Sequence, residues 1–280
     1  MSKKTIEWYD LDNTLWRTDA KWWVIDKNEP NIPIIKITQE EGYLCTNYVY
    51  LKDDLKIFYN GIEGYLSKDI FSKIQKVKKI ELEDLGLSFR EYNDISFLTK
   101  QSENMIILFK NIEHLHNHDE NTTIALLTAR GNKKGHDILL TKLKDTLKDN
   151  KLNINIDKIY FINDEDTLRH VGSTPEKKAL IILEHIIGYR IKKFNFIDTI
   201  QEKYDKSILY DDESANIEQL KNINVLLQKI LGNTKKSNLN LYNKIVKYIK
   251  DNKKNIIIET NLVTTNTVNP FITTNIDLNI

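Results

Sequence analysis

The sequence predicts an α/β protein: a parallel sheet flanked by helices, with a mixed α/β insertion after the first strand. Three observations predict it. Apolar runs of strand length recur along the 280 residues, and several end in an acid or hydroxyl: TIEWY (5–9) before Asp10, TTIALL (122–127) before Thr128, KIYFI (158–162) before Asn163-Asp164, and SILY (207–210) before Asp211-Asp212. Helix-period segments lie between them, near 97–116, 133–148, 175–189 and 214–221, and such alternation argues for parallel strands with crossover helices. The interval from Asp10 to Thr128 is too long for one right-handed crossover, so residues 16–95 read as an insertion.

Each element follows from local chemistry. Within the insertion, YVYLKDDLKIFY (48–59) alternates around Asp53-Asp54 like a hairpin, and SKDIFSKIQ (67–75) opens on a Ser cap with helical period. Trp16, Trp22, Trp23, Tyr43, Tyr48, Tyr50, Phe58 and Tyr59 concentrate there and read mainly as a small satellite core, with a few left for a pocket. In STPEKK (173–178), Ser173 or Thr174 caps a helix, Pro175 sits in its first turn, and Glu176 completes a capping box. FNFIDTIQEKYD (194–205) places Phe196, Ile197, Ile200 and Tyr204 at helical spacing and reads as a helix. NVLLQKI (224–230) reads as a fifth strand, and NLYNKIVKYIKDN (240–252) as an amphipathic helix. The Thr/Asn-rich tail from residue 261 lacks a period and reads as a poorly ordered extension. The expected organisation is therefore a core of 1–15 and 96–232, an insertion of 16–95, and a C-terminal helix and tail of 233–280.

Composition narrows the function classes. Lys+Arg 41 against Asp+Glu 40 leaves a formal charge of +1, so no global field draws the chain to nucleic acid or an anionic membrane. The arginines are few (Arg17, Arg90, Arg130, Arg169 and Arg190), which argues against sequence-specific DNA reading. One cysteine, Cys45, excludes an intrachain disulfide and predicts a reducing compartment: the cytoplasm, or for a viral protein the host cytoplasm or virion. No secretory leader is expected, because MSKK runs directly into the first strand, and ALIILEHII is too short and interrupted to span a bilayer. HLHNH (114–118) reads as a surface run rather than a zinc site, and Asp164, Glu165 and Asp166 as a polar loop.

Four groups thus stand at one edge of one sheet: Asp10 with Asp12, Thr128, the pair Lys177 and Lys178, and Asp211 with Asp212. In open parallel sheets ligands bind beyond the carboxyl ends of the strands. Phosphoryl transfer has a use for each group. A strand-end carboxylate can attack phosphorus, a second acid can move the proton, and a hydroxyl and an ammonium can hold the phosphate oxygens. Clustered acids also supply the oxygen donors Mg²⁺ prefers, and a cation would offset their mutual repulsion. Arg130 either touches a phosphate or pairs with a local acid.

At this point the chain resembles the haloacid dehalogenase (HAD)-like phosphohydrolases. DLDNT (10–14) matches their first motif, DxDxT; IALLTAR (124–130) is similar to the second, and LYDDE (209–213) to the fourth. The resemblance covers about residues 4 to 232 and implies a Rossmann-like core with a cap built from the insertion. It implies Asp10 as nucleophile and metal ligand, and Asp12 as general acid/base with its backbone carbonyl on the metal. Thr128 would bind phosphate, and Asp211 and Asp212 would anchor Mg²⁺. Lys178, or less favourably Lys177, is the expected phosphate-binding lysine, although the spacing from its helix to Asp211 exceeds the family norm. TLWRT followed by LLTARG resembles the HAD domains of phage and RNA-repair proteins, which implies a nucleotide or nucleic-acid end as substrate; a phosphorylated small molecule is the other option.

Two rivals stand beside this expectation. One is a catalytically silent HAD-fold interaction module, disfavoured by the intact acids. The other is a nucleotide-binding or phosphoacceptor domain, disfavoured by the insertion and by the lack of a GxxxxGK[ST] or GxGxxG stretch.

Overall fold

The computed structural model describes residues 3–38, 41, 55–59, 62–88, 90–93, 97–101, 107–108, 110, 113, 121–130, 136–149, 156, 158–162, 172–252, 255–264 and 271–279. The first strands are β1 Thr5–Tyr9, β2 Trp16–Thr18, β3 Trp22–Asp26, β4 Pro33–Ile37, β5 Leu55–Tyr59 and β6 Ile62–Leu66, followed by helix α1 Lys68–Val77. Then come β7 Leu85–Ser88, β8 Leu98–Gln101, β9 Thr122–Thr128, α2 His136–Asp149, β10 Lys158–Phe161 and α3 Thr174–Ile187. The chain continues through β11 Tyr189–Lys192, β12 Asn195–Thr199, β13 Lys206–Asp211, α4 Ser214–Lys221, α5 Ile223–Ser237, α6 Leu239–Asn252, β14 Ile257–Val263 and β15 Phe271–Ile276. Two compact units result, residues 1–17 with 100–280 and residues 18–99.

The larger unit is built on a six-stranded sheet in the order β10-β9-β1-β13-β14-β15. Every neighbouring pair is parallel except β14 with β15, which is antiparallel. Alternation along the strands decides the faces. Ile6 and Trp8 of β1, Ala125 and Leu127 of β9, Leu209 of β13 and Ile258 of β14 join one core with residues of α3 to α6. The next residues along β1, Glu7 and Tyr9, point to the other face, where Tyr9 donates to the buried Glu7 carboxyl. Burial of an aliphatic side chain contributes about 1.5–3 kcal/mol, so this core dominates the unit's stability. It is a mixed α/β unit with a mostly parallel sheet flanked by helices, compatible with a Rossmann-like arrangement.

Four sequence expectations are corrected: the helix expected near 97–116 does not begin there, because Leu98–Gln101 forms strand β8. Residues 224–230 are not a strand: they belong to α5, where Ile223, Leu226, Leu227, Ile230, Leu231 and Thr234 are buried at three- and four-residue spacing. A continuous apolar run fits both states, and only the longer period separates them. Residues 195–199 are not a helix but the second arm of a β11–β12 hairpin. Its turn uses Lys193 and Phe194 at φ 47° and 56°, conformations usually given to Asn or Gly, so the usual turn signal is missing. Where it is described, the tail is not a disordered extension: β14 takes the sheet position beside β13, and β15 closes that edge. Its Thr, Val and Ile residues are strand formers; along β15 Thr273 and Asn275 are exposed while Ile276 is buried.

The smaller unit holds a three-stranded sheet β4-β3-β7 and a β5–β6 hairpin. The expected hairpin at 48–59 is replaced in part, since Leu55–Tyr59 pairs with Ile62–Leu66; residues 48–54 lie outside the described residues. Helix α1 starts where Ser67 accepts from the Ile70 amide, and buries Ile70 and Ile74. These pack with Trp22, Val24, Ile37, Ile57, Leu66, Ile80, Leu85 and Leu87. Trp23 lies on the opposite face of β3, with Lys36 4.8 Å and Arg90 4.5 Å from its ring centre. Cys45, the histidines 114–118 and the acids 164–166 fall outside the described residues. Among the described residues, no helix is long and apolar enough to cross a membrane.

Two predictions test these packing assignments. Leu278, just past β15, is fully buried in the larger core, so Leu278→Ala should cost about 2–5 kcal/mol in urea unfolding. A loss below about 0.5 kcal/mol would mean that the tail does not dock. In the smaller unit, burial raises the Glu91 pKa, but bonds from Lys36, Trp23 and the Lys21 amide outweigh it, leaving the carboxyl below its usual value. That stability is present above the unfolded value of about 4.3 and is lost as pH falls through the folded one. Wild type should therefore lose melting temperature between about pH 5 and 3 more steeply than Glu91→Gln, as read by tryptophan fluorescence.

Candidate active site

The site is assembled where parallel strands end. The Asp10 amide donates to the Tyr210 carbonyl at 2.9 Å, which carries the β1–β13 ladder one residue past β1. With Tyr9 opposite Tyr210 in that ladder, Asp10 stands level with Asp211. Tyr9 is also opposite Leu126, which sets Thr128 one residue beyond that level on the other side. The chain then turns sharply. The Leu15 and Trp16 amides both bond the Leu11 carbonyl, and Asn13 takes a left-handed φ of 61°. Asn tolerates that region because its short side chain can bond locally.

Helix α3 delivers the lysine. Ser173 accepts from the Glu176 amide, and the Glu176 carboxylate accepts from the Ser173 amide and hydroxyl, which completes a capping box. Gly172 precedes it at φ 120°, where an added Cβ would lie 2.5 Å from the Glu176 carboxylate, so the turn requires glycine. The helix start is thereby occupied by the chain's own acid. One turn on, the Lys178 ammonium lies 2.6 Å from Asp10 and 2.6 Å from Asp211. Its side chain is 2% exposed. Lys177 is half-buried, and burial lowers its pKa; the bridge belongs to Lys178.

Every acid in the cluster has a partner, with Lys178 shared between Asp10 and Asp211. Asp211 is fully buried and accepts from the Glu213 amide at 2.9 Å, from Lys178, and from the Asn216 amide at 2.9 Å to each oxygen. Asp212 and Thr14 bond reciprocally: the Thr14 hydroxyl donates to the carboxylate at 3.0 Å and accepts from the Asp212 amide at 3.0 Å. Asp12 is held by Arg130, whose Nε lies 3.0 Å from one carboxylate oxygen and whose terminal nitrogen lies 2.6 Å from the other. Both partners are buried, and such a fork is among the stronger charge-assisted contacts. The Thr128 hydroxyl accepts from the Arg130 amide at 3.2 Å.

Charge is out of balance here. Burial pushes the Asp10 carboxyl well above the usual range; Lys178 pulls it back, and Asp211, Asp212 and Asp12 push it further up. Burial and then Asp211 raise Asp212 to about 7, against the opposing Thr14 bond. Burial acts to lower the Lys178 pKa, but Asp10 and Asp211 overcome it, and the ammonium stays charged. One lysine does not neutralise these carboxylates. Asp10, Asp211 and Asp212 each offer an oxygen, and all three lie within 4.8 Å of one another. An all-oxygen donor set carrying excess negative charge suits a hard divalent cation.

The structure brings Asp10, Asp211, Asp212 and Lys178 together, and joins Asp12 to Arg130 beside Thr128. For Arg130, the pairing with a local acid is the alternative realised. Sequence reasoning passed over two residues. Thr14 sits inside DLDNT without a role, and Asn216 stands alone in DDESAN; a polar residue beside the buried helix positions Ile217 and Leu220 was the available signal. Compared with protein-family models, curated proteins and solved structures, the chain finds no match.

The charge imbalance makes a prediction. Asp212 ionises against burial and Asp211, so its charge costs stability at neutral pH, and neutral asparagine removes that cost. In chelator at pH 8, Asp212→Asn should melt about 2–4 °C above wild type. A lower midpoint for the variant in chelator would contradict the imbalance.

Proposed function

We propose that this protein is a Mg²⁺-dependent phosphomonoester hydrolase of the HAD-like type, working through an aspartyl phosphate. The observation that carries the reading is the Lys178 ammonium set 2.6 Å from both Asp10 and Asp211, with Asp212 in the same cluster at the carboxyl ends of adjacent parallel strands. These groups lie far apart in sequence, and nucleophilic phosphoryl transfer needs each of them. The order of DLDNT, IALLTAR and LYDDE along the chain, each at a strand end, supports the same reading.

In this mechanism Asp10 attacks phosphorus; its O–P bond forms as the bond to the leaving alcohol breaks, and Asp12 gives that alcohol a proton. Asp12 then takes a proton from water, the water oxygen bonds to phosphorus, and the Asp10–phosphorus bond breaks to release phosphate. The Arg130 fork orients Asp12 and favours its carboxylate, the form that takes the proton from water; the proton that Asp12 gives the alcohol is one it takes up from solvent before the first step. Lys178 holds Asp10 in place and faces the charge that develops on the phosphoryl oxygens. Thr128 offers its hydroxyl to the same oxygens. Asp10 and Asp212, with Asp211 beside them, would hold Mg²⁺, which supplies charge neutralisation at the phosphoryl group. Residues 18–99 are the proposed cap, and a nucleotide or nucleic-acid end the proposed substrate.

The test is phosphate release with Mg²⁺ over nucleotides, sugar phosphates and 3′- or 5′-phosphorylated oligonucleotides. Asp10→Asn should lower the rate by more than about 10³-fold while circular dichroism stays unchanged. Turnover confined to sugar phosphates would remove the nucleic-acid substrate. No release from any compound by wild type would leave a silent interaction module.

A further inference from the structure

Asn216, the third residue of α4, has no part in the reaction set out above. Its side chain is 5% exposed, and its Nδ2 stands 2.9 Å from both oxygens of Asp211. A single nitrogen equidistant from two oxygens lies astride the carboxylate and resists its rotation. The Glu213 amide adds a second fixed donor, at one oxygen. Lys178 is the remaining donor, a flexible four-carbon chain whose end goes where its acceptors put it. Asp212 offers a competing acceptor, with oxygens of Asp10, Asp211 and Asp212 all within 4.8 Å of one another.

The amide can face only one way, because reversal would set its oxygen against the Asp211 carboxylate. That orientation leaves Asn216 Oδ1 buried with no hydrogen-bond partner among the described residues. Packing alone would favour leucine, which has similar size and no orphaned oxygen. What the amide adds over leucine is the bond its nitrogen makes to Asp211.

We propose that Asn216 is a positioning residue: acting only through Asp211, it fixes where the Lys178 ammonium stands against Asp10. Its consequence for turnover rests on the phosphatase reading; its consequence for Lys178 does not. The clamp sets the lysine between Asp10 and Asp211 and withholds it from Asp212.

The experiment observes the lysine directly. A buried ammonium held by two carboxylates exchanges its protons slowly and gives a ¹H–¹⁵N side-chain resonance, assigned to Lys178 by its loss in Lys178→Met. In Asn216→Leu and Asn216→Ser this resonance should shift or broaden away while the backbone amide spectrum stays native. Phosphoester hydrolysis, measured in parallel, should fall about 10–100-fold, the usual cost of losing such a supporting bond. An unmoved Lys178 resonance in a folded variant overturns the proposal. So does loss of the native spectrum in both variants, which would make Asn216 a folding residue. A moved resonance in a protein whose wild type cleaves no phosphoester sinks the phosphatase reading and upholds the clamp.

Discussion

Carboxylates gathered in a buried pocket repel one another, and everything around this site answers that constraint. Strand pairing creates the problem: β1 and β13 run parallel with Tyr9 opposite Tyr210, so the residues that follow, Asp10 and Asp211, arrive side by side. The two tyrosine rings stack at 4.8 Å and 1°, which reinforces that register. Lys178 is the direct answer, with one ammonium between the two acids. Its position depends on α3, whose residues from Lys178 to Ile187 are all buried. The hydrophobic packing of one helix thus sets the electrostatics of the site.

The other acids are matched one at a time. Arg130 takes Asp12, Thr14 takes Asp212, and the Glu213 and Asn216 amides share Asp211 with the lysine. Asp211 receives the most donors: Lys178, the Glu213 amide, and the Asn216 side-chain nitrogen that lies 2.9 Å from both of its oxygens. Asp10 and Asp212 are served more sparingly, and theirs are the carboxyls that burial and like charge push up. Under the phosphatase reading this divides the labour: Asp211 holds the lysine, while Asp10 and Asp212 keep capacity for substrate and cation.

Much of the larger unit was legible before any coordinates. The runs at 5–9, 122–127, 158–162 and 207–210 are strands, and 214–221 is a helix, because apolar periodicity and terminal polar residues agreed there. The misreadings share a cause, which is local ambiguity that distant partners settled. NVLLQKI fits a strand until its period is followed to Thr234, and the hairpin at 189–199 turns on Lys193 and Phe194, residues that announce no turn. The tail shows no alternation because β15 exposes residues on both faces, Ile272 on one and Thr273 and Asn275 on the other, with only Ile276 buried. Asn216 was invisible for another reason: an asparagine in a helix's first turn is ordinary until the carboxylate it touches is known.

The sequence by itself determined which residues end strands, and hence that acids, a threonine and a lysine would collect at one edge of a parallel sheet. It did so because strand period and strand-end chemistry are local properties of the chain. Only the tertiary structure decided that Arg130 grips Asp12, that β14 and β15 complete the sheet, and that Lys178, the lysine the resemblance favoured, stands between Asp10 and Asp211. Those outcomes turn on which face of α3 packs against the core and which strand edge stays open for pairing. Both are settled by contacts between segments distant in sequence, and no local pattern encodes them.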